Sequence, residues 1–506
     1  MNSDRTNYTS RHAGPWSSAG LLLLLSFWSG CAVGPKYSRP TVQAPVAYKE
    51  QSLNQAQVAD GWKTAQPADA LARGKWWELF NDPQLSTLEE RVNVSNQNIK
   101  AAEAQFRQAR ALVRANRSAY SPTVSAAPSV THSHLSTNRS FGSSQQFSTS
   151  QTFTDFQLPL DLSYEADLWG RIGRTVEASQ ASAQASAADL ETVRLSFHAE
   201  LAADYFQLRA LDTEKQLLDE TVGAYEKALE LTKNRYEGGI ASQADVSQAQ
   251  TQLEATRAQA MDVGVQRAQL EHAIAVLVGE TASTFSIPAA AATFSPPNIP
   301  VGLPSELLER RPDIASAERH VAAANAQIGL AKAAYFPSLS FTASAGFEST
   351  QIANWLSWPS RFWSIGPALL QTLFDGGQRR AVTEQAKAAY DATVAAYQQT
   401  VLTAFQEVED NLAAIRILSA EAKQQEAAVT AARRLLDISM NQYRGGVTTY
   451  LQVITSQAAL LSNQRAGVDI GQRQVIANVS LIKALGGGWN ASQLPSNSDL
   501  KISSAK

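Results

Sequence analysis

Arg235-Tyr236-Glu237-Gly238-Gly239-Ile240 returns as Gln442-Tyr443-Arg444-Gly445-Gly446-Val447, 207 residues later (443 minus 236). Leu277-Val278-Gly279 returns as Ala484-Leu485-Gly486 at the same displacement (486 minus 279). Self-similarity at a fixed offset is read first, because a duplicated sequence carries a duplicated fold. Apolar positions between these phrases keep the offset: Leu190 with Tyr397, Leu201 with Val408, Tyr205 with Leu412, Leu208 with Ile415 and Leu211 with Leu418. The chain is a tandem repeat.

Outward from the glycine pairs, each half is helical by period. Leu190, Val193, Phe197, Leu201, Tyr205 and Leu208 recur at spacings of three and four, as do Val394, Tyr397, Val401, Phe405, Val408, Leu412 and Ile415. No proline falls within residues 172–287 or 368–494. Each half therefore accommodates one very long helix before its Gly-Gly pair and another after it. Residues 172–234 as one helix would extend roughly 90 Å, far beyond the needs of a globular domain. Narrow apolar stripes on such helices suit lateral packing into a coiled coil or tube. The glycine pairs end the first helix of each hairpin in a left-handed cap. Ser242-x-x-Asp245 and Thr449-x-x-Gln452 match the capping box that starts the second.

Ahead of each long helix the texture changes to period two. Phe156, Leu158, Leu160, Leu162 and Tyr164 alternate with Gln157, Asp161, Ser163 and Glu165. In the second half Leu339, Phe341, Ala343, Ala345 and Phe347 alternate with Ser338, Ser340, Thr342, Ser344 and Gly346, and Trp363, Ile365 and Leu369 begin a returning strand. Two readings fit: transmembrane strands between lipid and water, with Trp355, Trp358 and Trp363 as an interfacial girdle, or an ordinary half-buried sheet. Pro128, Pro159 and Pro367 fall inside these strands. Each half offers two strands, joined by loops at 133–152 and 348–361, so one chain offers four. Known outer-membrane barrels begin at eight strands with a filled interior; three copies, giving twelve, is the smallest wet channel.

Residues 1–30 have an export-signal layout: Arg5, Arg11 and His12, the apolar run Ala19–Phe27, then Ser29-Gly30. That run is too short to span a bilayer as a helix. Cys31, the chain's one cysteine, sits where a lipobox cysteine is acylated, although Trp28 departs from the pattern; otherwise it is incidental to a signal cleaved elsewhere. A net charge of -3 from 43 basic and 46 acidic residues argues against nucleic acid as a partner.

These words also carry a resemblance. Cys31-Ala-Val-Gly-Pro-Lys-Tyr, Trp76-Trp77-Glu-Leu-Phe-Asn-Asp-Pro-Gln-Leu, Asp167-Leu-Trp-Gly-Arg, Glu309-Arg-Arg-Pro-Asp-Ile, Ala334-Tyr-Phe-Pro-Ser-Leu, Leu373-Phe-Asp-Gly-Gly and Ala484-Leu-Gly-Gly-Gly-Trp489 occur in that order. From Cys31 to Trp489 the chain resembles the TolC and OprM superfamily, in its NodT-type lipoprotein branch. The fold class implied is mostly α with membrane β: a tandem-repeat protomer of a trimeric 12-stranded outer-membrane β-barrel on a long periplasmic α-helical barrel. Its implied parts are a signal peptide (1–30), a lipidated N-terminal segment and equatorial part (31–83), repeat 1 (84–279), an equatorial linker (280–313), repeat 2 (314–486) and a C-terminal tail (487–506). The linker prolines Pro288, Pro296, Pro297, Pro300 and Pro304 agree with a non-helical crossing.

The resemblance implies a homotrimeric exit duct, lipid-anchored at Cys31 in the cell outer membrane and extending into the periplasm. Its implied partners are outer-membrane lipid, a periplasmic membrane-fusion adaptor and an inner-membrane pump of the resistance-nodulation-division type. The adaptor-binding tips would be Arg235, Tyr236, Gly238, Gly239, Ile240, Ala241 and Ser242 in the first repeat. In the second they would be Tyr443, Gly445, Gly446, Val447, Thr448 and Thr449. Such tubes close at the periplasmic end, often with an aspartate ring. Here Thr448, Gln452 and Thr455 stand where carboxylates would be sought, while Asp245 is acidic. The gate candidates are thus Asp245, Tyr236, Tyr443, Gln452 and Thr455, in a hydrogen-bonded or steric gate; the tyrosines also read as packing between neighbouring helices.

Little chemistry is legible. His132-x-His134 puts two imidazoles on one face of a predicted strand, but no further ligand is evident, so no metal site and no cofactor is expected. Arg310-Arg311-Pro312-Asp313 reads as a helix start. No catalytic constellation is found. The alternatives are a lipid-anchored periplasmic coiled-coil scaffold, an enzyme with an unrecognised site, or the same channel serving metal efflux or protein export.

Overall fold

The computed structural model describes residues 33–50, 74–134, 152–297, 299, 301 and 304–500. The export signal, Cys31 and most of the 133–152 loop lie outside the described residues. A 3-10 turn at Trp76–Phe80 leads into helices α1 (Pro83–Ser95) and α2 (Gln97–Arg117), strands β1 (Thr123–Ala126), β2 (Ser129–His134) and β3 (Thr152–Ala166), and helices α3 (Arg171–Glu237) and α4 (Gln243–Leu277). After the linker and a helical turn at Leu307–Arg310 come α5 (Pro312–Ala333), β4 (Ser338–Ser349), β5 (Arg361–Leu370), α6 (Gln378–Arg444) and α7 (Tyr450–Ala484).

The duplication is exact in length where the hairpins are concerned. Helices α3 and α6 each have 67 residues, roughly 100 Å at 1.5 Å per residue, and α4 and α7 each have 35. Repeat 1 opens with two helices divided at Asn96, whose side chain caps α2 through the backbone N–H groups of Asn98 and Ile99.

Each repeat closes on itself in the same way with different side chains. Asn96, at the start of α2, donates to the carbonyl of Leu277 at the end of α4 (2.9 Å). Arg311, at the start of α5, donates to the carbonyl of Ala484 at the end of α7 (3.0 Å). Both bonds satisfy carbonyls that a helix end leaves without partners. The repeated glycines lie at this closure: a Cβ on Gly279 would stand 2.5 Å from the Ser95 carbonyl oxygen, and one on Gly486 would stand 2.1 Å from that of Arg310.

Helix α3 is central. Its half nearer the sheet packs against α2 and α5, its tip half against α4 and α7, while α6 packs along α5 and then α7. Although equal in length, α3 buries 28 residues and α6 only nine, so α6 is an edge of the helical layer. Leu402, Ile417, Leu435 and Ile438 are exposed on that edge, and Met261, Val265 and Val276 on α4 at the opposite one. The main core joins α1, α3 and the linker through Trp76, Leu85, Val92, Leu201, Tyr205, Leu208, Phe285 and Ile287.

The linker is held by a buried charge network. Asp212 accepts from Arg209 (2.9 Å), Arg267 (2.6 Å) and the Ala290 backbone N–H (3.1 Å). Arg209 also donates to the Pro288 carbonyl (2.8 Å) and Arg267 to that of Ile287 (2.6 Å). The strap formed by residues 33–50 crosses α5 and α6: Asn325 donates to the Pro35 carbonyl, Arg39 donates to Tyr397, and the Lys49 and Glu50 backbone N–H groups donate to Glu409. At its upper end the Val33 N–H donates to the Trp169 carbonyl (3.1 Å), at the junction of β3 and α3.

The strands form one antiparallel sheet in the order β1, β3, β4, β5, with β2 also on β3. Five segments therefore replace the four expected strands: Pro128 breaks the first, having no N–H to give the ladder. Pro159 is accommodated mid-sheet because it faces Gly346, where a Cβ would stand 2.1 Å from the Leu158 carbonyl oxygen. Pro367 lies on β5, the sheet's edge.

Candidate functional site

The register sorts the sheet into two faces, since directly opposed residues point the same way. Val124, Leu162, Ala343 and Ile365 line up across the strands, as do Ala126, Leu160, Ala345 and Trp363. The other face aligns Ser125, Asp161, Ser344 and Ser364. No residue of the five strands is buried, and Trp363 and Ile365 are 74% and 75% exposed. The reading as a half-buried sheet over a core is thereby excluded. Within the described residues both edges of the sheet lack a partner strand, and Trp355 packs on Phe156 at one end of the apolar face (5.7 Å between rings).

At the sheet's base each long helix is started by an aspartate behind a left-handed glycine. Asp167 accepts from the backbone N–H groups of Ile172 (2.9 Å) and Gly173 (2.7 Å), with Gly170 at φ 77°. Asp375 accepts from those of Gly377 (3.0 Å) and Arg379 (3.2 Å), with Gly377 at φ 91°. A carboxylate there also meets the positive end of the helix dipole. The Arg379 guanidinium beside Asp375 holds that carboxyl below its ordinary range.

The far ends of the helices form the tip. Ile240 N–H reaches back to the Arg235 carbonyl (2.8 Å) and Gly239 N–H to that of Tyr236 (2.9 Å); Val447 and Gly446 repeat both bonds. This double bond pattern is the Schellman cap, and the second glycine of each pair takes the left-handed conformation it needs, at φ 69° and 74°. Helix α4 then begins with a complete capping box: Asp245 N–H donates to Ser242 Oγ (3.2 Å) and Ser242 N–H to Asp245 Oδ2 (3.0 Å). Helix α7 does not. Thr449 makes no side-chain cap bond, and Gln452 donates only its backbone N–H to the Thr449 carbonyl (3.2 Å). A neutral amide at that position lacks the charge that draws Asp245 onto a backbone N–H.

The two tips meet through a shared core of Tyr225, Leu229, Val246 and Leu253 with Tyr443, Tyr450, Val453 and Ile454. Tyr443 packs its ring 5.3 Å from that of Tyr450 and donates its hydroxyl to Thr232 (3.4 Å). Arg235 lies 4.7 Å over the Tyr443 ring and donates to the Arg444 carbonyl (3.2 Å). Burial pushes the Tyr450 hydroxyl up to about 12. The repeat-equivalent tyrosines thus part company: Tyr443 is 4% exposed and Tyr236 44%.

Of the gate candidates, Tyr443 alone is buried between hairpins; Tyr236, Gln452 and Thr455 are exposed and Asp245 is held in its cap. Among the tip candidates, Ile240 and Val447 are strongly exposed and occupy equivalent positions, Gly238, Gly239, Gly445 and Gly446 are open to solvent, and Ala241 and Thr448 are half-buried. Sequence reasoning named Arg235 as a tip residue but not as the link between tips, and missed Tyr450. The signal was present in the duplicate, where Arg235 aligns with the uncharged Gln442. Above the tips, an open groove of about 660 Å³ runs between α3, α6 and α7, with Phe294 of the linker over Gly471. Among the described residues no group of three or more His, Cys, Asp or Glu is placed to hold a metal, and no helix is long and apolar enough to cross a membrane.

Residues 89–280 and 303–487 match the model of the outer membrane efflux protein family. The chain belongs to that family. It is 32% identical over 482 residues to the toluene efflux pump outer membrane protein TtgC of Pseudomonas putida, covering 94% of this chain and 96% of that protein. The outer membrane protein OprJ of Pseudomonas aeruginosa is 30% identical over 482 residues, with 94% and 97% covered. Among solved structures, the outer-membrane channel OprN superposes with a TM-score of 0.81 at 29% identity over 91% of this chain and all of that one. The CmeC channel of Campylobacter jejuni shares the fold, with a TM-score of 0.83 at 24% identity, 92% of this chain and 96% of that one being covered. This outer membrane efflux protein is the exit duct of an efflux pump, and its place is the outer membrane.

Proposed function

We propose that three copies of this efflux protein close into a twelve-stranded barrel standing on a helical tube, and that the tube receives cargo from an inner-membrane pump of the resistance-nodulation-division type. The observation that carries this reading is the sheet: apolar on one face, polar on the other, open at both edges and buried nowhere. Lipid covers an apolar face of that kind, and neighbouring copies cover the edges. The helical layer supports the same assembly, because its two edges differ. The apolar side chains of α6 on one copy meet α4 of the next, a head-to-tail contact that closes into a ring.

The first residue described, Val33, is bonded to Trp169 at the base of the sheet. An acyl chain on Cys31 would enter the membrane there, so lipid anchoring completes the reading. The exposed Ile240 and Val447, flanked by glycine turns that let a partner's backbone approach, are the proposed contacts for a periplasmic membrane-fusion adaptor. Closure at this end is assigned to steric packing of the second hairpin, with Tyr443 as its fixed point and Tyr236, Asp245, Gln452 and Thr455 facing neighbours. Organic solvents, drugs and other small toxic compounds are the proposed cargo, in line with the toluene and solvent pumps named among the relatives; metal-ion or protein export through the same duct is the variant. No catalytic role is assigned. A purely coiled-coil scaffold has no use for the lipid-facing sheet.

The test is oligomeric mass and single-channel conductance of the detergent-extracted protein. A trimer with discrete, mostly closed conductance is expected. A water-soluble monomer without conductance would move the assignment to the scaffold.

A further inference from the structure

We propose that Arg361, with Trp358 stacked on it, binds the phosphate of an outer-leaflet lipid headgroup at the end of the sheet farthest from the helices. The proposal rests on the reading of this sheet as part of a barrel whose apolar face meets lipid. The register sorts charge between the two faces. All four carboxylates of the five strands stand on the polar face: Asp155 opposite Thr131, Asp161 opposite Ser344, Glu165 opposite Ser340 and Glu348 opposite Gln157. The one lysine or arginine of these strands, Arg361, stands on the apolar face, opposite Phe347 and in line with Leu158. It is the next residue above Trp363 on that face, about 6.7 Å along β5. A cation on a lipid face is costly at mid-depth and tolerated near the headgroups, so Arg361 marks the headgroup level.

The guanidinium lies 4.0 Å from the centre of the Trp358 ring, and among the described residues it pairs with no carboxylate. Both side chains are exposed. The loop that presents Trp358 is tied by its own hydrogen bonds. The hydroxyls of Ser357 and Ser360 both donate to the Asn354 carbonyl (2.7 Å each), and the Asn354 amide donates to Gln351 Oε1 (3.0 Å). Trp355 packs on Phe156, a residue of the apolar face, and this contact draws the loop to the lipid side. Ile352 and Leu356 of the same loop are strongly exposed. Stacking on a ring leaves the edge N–H groups of a guanidinium unoccupied, and these match two phosphate oxygens at once. The exposed apolar side chains of the loop and of β5 give acyl chains a surface that free phosphate cannot use. A zwitterionic headgroup brings a cation of its own, which the arginine repels. The ligand class is therefore an anionic lipid whose phosphate stands uncompensated.

The experiment titrates the detergent-extracted full chain with phosphatidic acid, with phosphatidylcholine of the same acyl chains, or with inorganic phosphate, and counts bound lipid by native mass spectrometry. One phosphatidic acid per chain is expected, bound at least about tenfold tighter than phosphatidylcholine. Arg361→Gln should bring phosphatidic acid down to the phosphatidylcholine level. Arg361→Lys should fall between, since an ammonium keeps the charge but not the bidentate fork, and Trp358→Ala should lose part of the preference. Oligomeric mass, read in the same spectra, should be that of a trimer in every variant. A monomer would overturn the barrel reading and the site with it. A trimer whose Arg361→Gln variant keeps the preference for phosphatidic acid would overturn the lipid site alone. Displacement of the lipid by millimolar inorganic phosphate would also overturn it, because the arginine would then be a site for free anions.

Discussion

The guanidinium of Arg235 lies 4.7 Å over the ring of Tyr443, joining the tip of the first hairpin to the tip of the second. The same arginine donates to the Arg444 carbonyl, so one side chain holds both the ring and the backbone of the opposing tip. Arg235→Ala should cost about 1 kcal/mol at this contact, the scale of a partly exposed cation–π pair. In planar bilayers it should raise the fraction of time spent open by several fold. Tyr443→Phe should have a smaller effect, because it removes only a long hydroxyl bond. Equal conductance of Arg235→Ala and the parent protein would show that the link does not hold the tip.

Replacement of Gly279 or Gly486 by alanine should be far more damaging than replacement of a mid-helix glycine. At both sites the added Cβ collides with a backbone carbonyl, and the positive φ adds strain. Gly223 lies within α3 with nothing within 4 Å of an added Cβ, so Gly223→Ala should stabilise by about 0.5–1 kcal/mol. Thermal melts of the three variants separate the cases, the first two losing several degrees or failing to fold.

Stability should depend on pH through a buried pair beside α1. Glu89 Oε2 lies 2.6 Å from His198 Nδ1, and His198 Nε2 lies 3.0 Å from Asn93 Oδ1. Burial holds the Glu89 carboxyl well above its ordinary value, and burial with the nearby Arg194 charge lowers His198 to about 4. Between roughly pH 4.5 and 6.5 the folded pair and the unfolded chain each carry one proton, so stability is flat there. Above about 6.5 the folded pair keeps a proton that the unfolded chain has lost, and stability falls as pH rises. Below about 4.5 the unfolded carboxylate takes up a proton before His198 does, and stability falls until pH approaches 4. Glu89→Gln should abolish the alkaline decline while leaving His198 depressed, so its stability falls from about pH 6.5 downward. Denaturation midpoints from pH 4 to 9 for both proteins check this; an unchanged alkaline limb in the variant would assign it to another group.

The two hairpin tips should respond unequally to loss of their caps. Ser242→Ala removes a bond to the Asp245 backbone and half of the capping box, and should cost about 1 kcal/mol locally. Thr449→Ala removes no side-chain cap bond and should be nearly silent. Amide hydrogen exchange over the first turns of α4 and α7 reads the difference directly.

Much of the architecture was legible in one dimension. The repeated Tyr-x-Gly-Gly phrases located both Schellman turns, because only glycine takes that backbone conformation without strain. Period three-to-four and period two separated helices from strands, since those periods follow from backbone geometry alone. Ser242 and Asp245 announced their capping box because its partners lie three residues apart.

What the sequence left open were relations between residues distant along the chain. The Thr449–Gln452 pair matched the same local pattern and formed no box, as the pattern records spacing and not whether a neutral amide will turn back. Asn96 and Arg311 perform one task in the two repeats with unlike side chains, so no alignment of residue types would pair them. Alternation in β3 and β4 was compatible with a core or with lipid, and only the exposure of Trp363 and Ile365 in the folded chain excluded the core. Equivalent tyrosines at 236 and 443 read identically in sequence, yet one is buried and the other exposed. The duplication fixes what each hairpin is, through local backbone chemistry. Which hairpin face meets its twin is decided by tertiary packing, where two copies of one motif cannot occupy the same side of each other.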